Sequence, residues 1–146
     1  MKSLSLFSGC LGLDLGLEQA GISAAAYVDK DPVCRETIRL NRPGVPVFED
    51  VFDPRLPQFA KEQRINVIVG GPPCQSYSTM GRRRFLRDPR GRAVLGFLAL
   101  VRAVEPQYFI LEHGYPVVAG RPQGWYSDPA AQPLVAPLAG RGRPRR

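Results

Sequence analysis

A single α/β domain built on a parallel sheet is predicted by three features of the sequence. Short apolar runs alternate with segments of helical spacing along most of the chain. The runs are continuous rather than alternating in polarity, the pattern of strands covered on both faces. Several of them end by delivering Gly, Asp or Glu to what would be one edge of the sheet. The 146 residues leave room for one such domain with its own core.

The elements follow in order. SLSLFS (3–8) reads as a first strand ending at Gly9. LGLDLGLEQAG then carries Leu13, Leu17 and Ala20 at helical spacing and stops at Gly21. AAAYVD (24–29) is a second strand. DPVCRETIRLN (31–41) is a helix with Asp31 as N-cap and Pro32 at the first helical position. Val45 to Phe48 is a short third strand, and a polar crossover from Pro54 to Arg64 leads into INVIV (65–69), the fourth. Residues 90–105 carry Val94, Leu98 and Val101 on one helical face, ended by Pro106. QYFILE (107–112) is a fifth strand. Such a series closes with right-handed crossovers. Residues 1–118 are therefore assigned to the domain. Residues 119–146, rich in Pro, Gly, Ala and Arg and without periodicity, are expected to be a disordered tail.

Bulk composition narrows the function. The net charge is +7, which favours polyanionic partners, nucleic acid first, over a basic protein with no anionic ligand. No apolar run approaches the roughly 18 residues that span a bilayer, so no membrane association is expected. The start MKSLSLFSGC is interrupted early by Gly and reads as strand and turn, not as a signal peptide. Three cysteines without CxxC spacing argue for a reducing, cytoplasmic compartment, and a single histidine leaves no metal site to expect.

Four constellations carry possible chemistry. Gly9, Gly12 and Gly16 give GxxGxxxG between a strand and a helix. The turn either lets a ligand approach the backbone or is simply tight. It lacks the GxGxxG of nicotinamide and flavin enzymes, with Leu11 at the middle position. Asp29, twenty residues on, could accept hydrogen bonds from ribose hydroxyls or serve as a helix-capping carboxylate. Asp50, after strand three, could accept from an adenine amino group or be a surface turn acid. GGPPC (70–74) puts a stiff turn after strand four. There Cys74 is either a small hydrophobe or a presented nucleophile, favoured as thiolate by the cations of GRRRFLRDPRGR. Those arginines bind phosphates or are a solvated loop. Glu112, closing strand five, would lie beside Cys74 at the same edge.

Taken together, these residues resemble the DNA (cytosine-5)-methyltransferase family. FSGCLGLDLG is similar to its FxGxGG motif, Asp29 and Asp50 to its acids after strands two and three, and GPPCQSYS (71–78) to its nucleophile motif, PCQ. Glu112–His113–Gly114 stands where the family has ENV. The resemblance covers residues 3–112 and implies a Rossmann-like, S-adenosylmethionine-dependent methyltransferase sheet, incomplete on its C-terminal side. It also implies methyl transfer to C5 of cytosine in double-stranded DNA, of restriction–modification type, through a Cys74 adduct with Glu112 holding the ring. Phe7, Ser8, Gly9, Gly12, Asp29, Asp50 and Pro72 would line the cofactor site. Gln75, Ser76, Ser78, Arg82, Arg83 and Arg84 would face DNA. The family's QxRxR segment and target recognition domain have no counterpart here. That sets two further expectations beside the enzyme: an inactive truncated remnant, or one half of a split enzyme whose second chain supplies recognition.

Overall fold

The structure, a computed structural model, describes residues 1–73, 91–112, 117–120 and 134–136. Seven strands form one sheet: β1 (Lys2–Leu6), β2 (Ser23–Val28), β3 (Val47–Phe48), β4 (Val67–Gly70), β5 (Tyr108–Leu111), β6 (Val117–Gly120) and β7 (Leu134–Ala136). Among the described residues the helices are α1 (Gly12–Gln19), α2 (Pro32–Asn41), α3 (Leu56–Glu62) and α4 (Gly91–Val104). The spatial order is β3-β2-β1-β4-β5-β6-β7. The first five strands in that order pair in parallel, as the sequence predicts, and β6 and β7 continue the sheet antiparallel. Chain order reverses between β1 and β4, the place where open α/β sheets hold ligands.

Period-two alternation assigns the two faces of the sheet. Leu4, Leu6, Ala26, Val28, Ile68, Phe109 and Leu111 join α3 and α4 in the main core, where Leu56, Ala60, Phe97, Leu100 and Val101 are buried. On the opposite face Val67 and Val69 pack with Leu17 of α1, and Tyr27 packs with Ile38 of α2 and Leu11. Phe97 and Phe109 meet edge-on with centroids 6.4 Å apart. Gly70 permits a close strand contact: a Cβ there would lie 2.6 Å from the Leu6 carbonyl oxygen.

Helix ends follow local chemistry. Asp31 caps α2, its side chain accepting from the Val33 N–H at 2.8 Å, with Pro32 next. α1 ends in a Schellman motif: Ile22 N–H donates to Leu17 O (2.9 Å), Gly21 N–H to Glu18 O (3.0 Å), and Gly21 takes φ +78°. Ile22 then packs with Leu17.

Three expectations are corrected. The crossover from Pro54 to Arg64 contains a helix, α3, which buries Leu56 and Ala60. The covered face of α1 is Asp14 and Leu17; Leu13 is exposed. In α4 Val101 is buried as expected, but its buried companions are Gly96, Phe97 and Leu100, while Val94 and Leu98 are half-buried. The segment 119–146 also includes the last residues of β6 and all of β7, and its remaining residues lie outside the described ones.

Candidate functional site

Two adjoining hollows lie along the carboxyl edge of the parallel strands, and both are lined by Phe7. The larger, about 320 Å³, lies beyond β2 and β3 and is walled by Val28, Asp29, Asp50, Val51 and Phe52 as well. The smaller, about 150 Å³, lies beyond β1, β4 and β5 and is lined by Ser5, Ser8, Asp14, Gly71 and Glu112. Phe7 therefore sits between them, in a left-handed conformation (φ 55°) rare for a bulky residue.

The turn after β1 is held from below. Asp29 Oδ2 accepts from the Gly9 N–H at 2.7 Å, and Oδ1 from the Asp31 N–H at 2.9 Å. Asp29 thus joins the glycine turn to the start of α2, and each carboxylate oxygen keeps a second lone pair for a ligand hydroxyl. The α2 N-cap is Asp31, so the capping alternative for Asp29 does not hold. Ser8 is buried, its Oγ donating to Ser5 O at 3.0 Å. Leu11, where the family motif has glycine, takes φ 68° and still buries its side chain against Tyr27 and Ile38. Gly12 opens α1, whose N-terminus has no side-chain cap.

Asp50 Oδ1 accepts from the Phe52 N–H at 3.0 Å and so sets the turn after β3. Lys30 Nζ lies 3.9 Å from Asp50 Oδ2, an exposed pair of little energetic weight. Phe52 was not anticipated from the sequence. Half of its surface is exposed at the groove, and the Arg92 guanidinium stacks on its ring at 5.7 Å. No periodicity marks it; an aromatic two residues after a strand-end acid is the signal the sequence offers. Gly96 of α4 makes room for this wall, since a Cβ there would fall 2.7 Å from Val51 Cγ1 and 3.0 Å from Phe52 Cζ.

Glu112 follows β5 directly, and its N–H donates to Gly70 O at 2.9 Å. Its carboxylate lies over Gly71, where an added Cβ would come within 2.7 Å of Oε2. Strands four and five therefore bring Glu112 to the turn that leads through buried Pro72 toward Cys74. Cys74, Gln75, Ser76, Ser78, Arg82, Arg83 and Arg84 lie outside the described residues. Asp14 is a second residue the sequence did not single out. It is almost fully buried, Oδ2 accepts from Ser5 Oγ at 3.0 Å, and Oδ1 has no protein partner. Burial pushes its carboxyl above the ordinary carboxylate range, and the Ser5 bond opposes that only in part. Among the described residues no cluster of three or more His, Cys, Asp or Glu side chains could hold a metal, and no helix is long and apolar enough to cross a membrane.

The family model for C-5 cytosine-specific DNA methylase matches residues 1–114. The type II methyltransferase M.AquIA of Picosynechococcus sp. is 43% identical over 118 residues, covering 77% of this chain and 48% of that protein. M.NgoPII of Neisseria gonorrhoeae is 37% identical over 125 residues, covering 85% and 36%. Among solved structures, the S. pombe Dnmt2 methyltransferase superposes with a TM-score of 0.60 at 26% identity, over 79% of this chain and 37% of that one. The chain thus spans less than half the length of these relatives. With the family model matching residues 1–114, more than half of its length, the chain belongs to the C-5 cytosine-specific DNA methylase family.

Proposed function

We propose that this chain carries the cofactor and nucleophile half of a restriction–modification methyltransferase acting on C5 of cytosine in double-stranded DNA. The observation that carries the reading is the Glu112 carboxylate lying against Gly71, at the head of the PPC turn, beside a groove suited to an adenosine.

The groove fits S-adenosylmethionine by size and by chemistry. Its volume, about 320 Å³, is at the lower end of small-molecule sites. Asp29 supplies acceptors for ribose hydroxyls, Asp50 an acceptor for an adenine amino group, and Phe7, Val51 and Phe52 apolar walls for the purine. Ser8, Gly9, Gly12 and Pro72 complete the edge along which the rest of the molecule would lie. When bound, S-adenosylmethionine supplies an electrophilic methyl group.

The remaining steps belong to this chain. A flipped cytosine would enter beside Glu112. The Cys74 thiolate attacks C6, and a covalent bond forms between sulfur and the ring. Glu112 hydrogen-bonds N3 and the exocyclic amine, stabilising charge as the C5–C6 double bond is lost. The ring becomes nucleophilic at C5 and would take the methyl group as the sulfonium S–CH3 bond breaks, leaving S-adenosylhomocysteine. Loss of the C5 proton and expulsion of the thiolate then restore aromaticity and enzyme. Gln75, Ser76, Ser78 and Arg82–Arg84 belong to the loop that would close over DNA.

The coverage of the relatives favours a second component. This chain spans 48% of M.AquIA and 36% of M.NgoPII. DNA recognition is therefore assigned to a segment like the one those relatives carry beyond the match, in the same polypeptide or in a second chain. A remnant without activity is the competing reading.

Duplex DNA containing 5-fluorocytosine decides between them, because the fluorine blocks loss of the C5 substituent and traps the adduct. With S-adenosylmethionine and the complementary segment present, a covalent complex should form, and Cys74→Ala should abolish it. No adduct under those conditions would sink the enzymatic reading in favour of the remnant.

A further inference from the structure

Phe52 forms part of the wall of the larger hollow, and the start of α4 holds it there. Its N–H donates to Asp50 Oδ1 at 3.0 Å, which fixes its backbone beside the strand-end acid. Its ring edge lies against Gly96, where an added Cβ would fall 3.0 Å from Cζ and 3.3 Å from Cε1. The Arg92 guanidinium lies over the ring, 5.7 Å from its centroid. Residues 92 and 96 are four apart and so share one side of the helix. One side of α4 therefore meets the ring twice, once with a gap and once with a cation. Arg92 and the neighbouring Ala93 line the same hollow as Phe52. Among the described residues no carboxylate forms a salt bridge with Arg92, so its charge is left for the ring.

We propose, on the reading of this hollow as the adenosine site, that Arg92 is a positioning residue for the cofactor's adenine, acting through Phe52. Phe52 stands on the turn after β3 with half of its surface open. A ring so placed turns about χ1 and χ2 unless something holds it, and a purine stacking on it must stop that motion. The gap at Gly96 admits the ring edge, and Arg92 supplies the attraction that keeps it seated. The ring is thereby ordered before the ligand arrives, and the ordering cost at binding falls.

A purine covering the ring also removes water from around the cation–π contact, which strengthens it. Arg92 needs no hydrogen bond to the base for this effect. The two jobs at the hollow are then separate. Asp50 supplies the acceptor for the amino group, and the Phe52–Arg92 pair sets the plane in which the base lies.

Calorimetric binding to the full chain tests it, with S-adenosylhomocysteine and 5′-methylthioadenosine as probes. The second probe keeps the adenosine and lacks the amino-acid end. Arg92→Ala should weaken both by about fivefold, the size of one half-exposed cation–π contact. Arg92→Met, similar in length but uncharged, should do the same, and Arg92→Lys should recover part of the loss. In a Phe52→Leu background Arg92→Ala should cost nothing further, because the ring through which it acts is gone. Equal affinity in Arg92→Ala and the unaltered chain, with or without a fall in Tm, would overturn the assignment. So would a loss confined to S-adenosylhomocysteine, or the same loss with and without Phe52. If the unaltered chain binds neither probe, the adenosine reading of the hollow fails first, and the role of Arg92 falls with it.

Discussion

Three single residues at the edge of the sheet are under opposing demands. Leu11 holds φ 68°, which costs an L-residue about 1–2 kcal/mol, yet its side chain is buried. Leu11→Ala should lose about 2–5 kcal/mol of packing and keep the backbone strain. Leu11→Gly loses the same packing but relieves the strain. It should be the more stable of the two by up to about 1 kcal/mol, the reverse of the usual order, as urea midpoints can show. Gly71 is constrained by a neighbour instead. A Cβ there would meet Glu112 Oε2, the free end of a flexible side chain. Gly71→Ala should fold with little change in Tm but displace the carboxylate. The rate of adduct formation on 5-fluorocytosine DNA should drop by about 100-fold, the usual cost of misplacing a reacting group by an ångström. Asp14 is a matter of linkage. Its folded pKa is raised above that of an ordinary aspartate, first by burial, so the folded state binds its proton more tightly than the unfolded chain does. Below the ordinary aspartate pKa both states are protonated and the carboxyl carries no pH-linked penalty. As pH rises past it the unfolded carboxyl ionises first, and stability falls until the folded pKa is passed. Asp14→Asn should therefore gain stability relative to the parent chain as pH rises from acid toward neutral. A flat difference across that range would contradict it.

At the scale of elements, what was legible in the sequence depended on how each signal arises. The start of α2 was legible because capping is local chemistry. Asp31 and Pro32 occupy the predicted positions, and Asp31→Ala should cost about 1 kcal/mol in thermal or urea unfolding. The five parallel strands were legible from their continuous apolar runs, to within about two residues at their ends. α3 was not, because in LPQFAKE only Leu56 and Ala60 are buried, too few for a periodic pattern. The faces of α1 and α4 were legible only in part, since Leu17 and Val101 are buried as expected while other predicted positions are not, for a related reason. Leu13 and Leu15 look like core residues by composition but are exposed, while Asp14 between them is buried through its bond to Ser5. That preference is set by Ser5 on β1, nine residues earlier, and no spacing rule within the helix contains it. The same limit applies at the site. Strand-end acids could be picked out because topology sends them to one edge. Phe52 and Gly96 matter through their contact with each other, which only the packing of α4 on the β3 turn reveals.

Across the whole molecule, charge is divided unevenly. Residues 1–73 carry eight Lys and Arg against nine Asp and Glu, and residues 74–146 carry twelve against four. The half that builds the glycine turn and its acids is close to neutral. The half beginning at the nucleophile holds the basic excess. That division suits the proposed work. A carboxylate-lined cofactor groove gains nothing from a strong positive field, whereas a polyanion approaching Cys74 would be drawn to the cationic half. Affinity for duplex DNA should consequently fall steeply with salt, because each phosphate neutralised releases counterion. If Arg82, Arg83 and Arg84 each contact a phosphate, replacing all three with Ala should lower the slope of log affinity against log salt by about 3, uniformly across DNA sequences. Cofactor binding should be unchanged, since none of the three belongs to the groove's predicted lining. An unaltered slope would move the DNA contact to the arginines that follow, from Arg87 onward. A loss restricted to particular DNA sequences would instead make the triplet a reader of bases, a different role from the one its charge assigns.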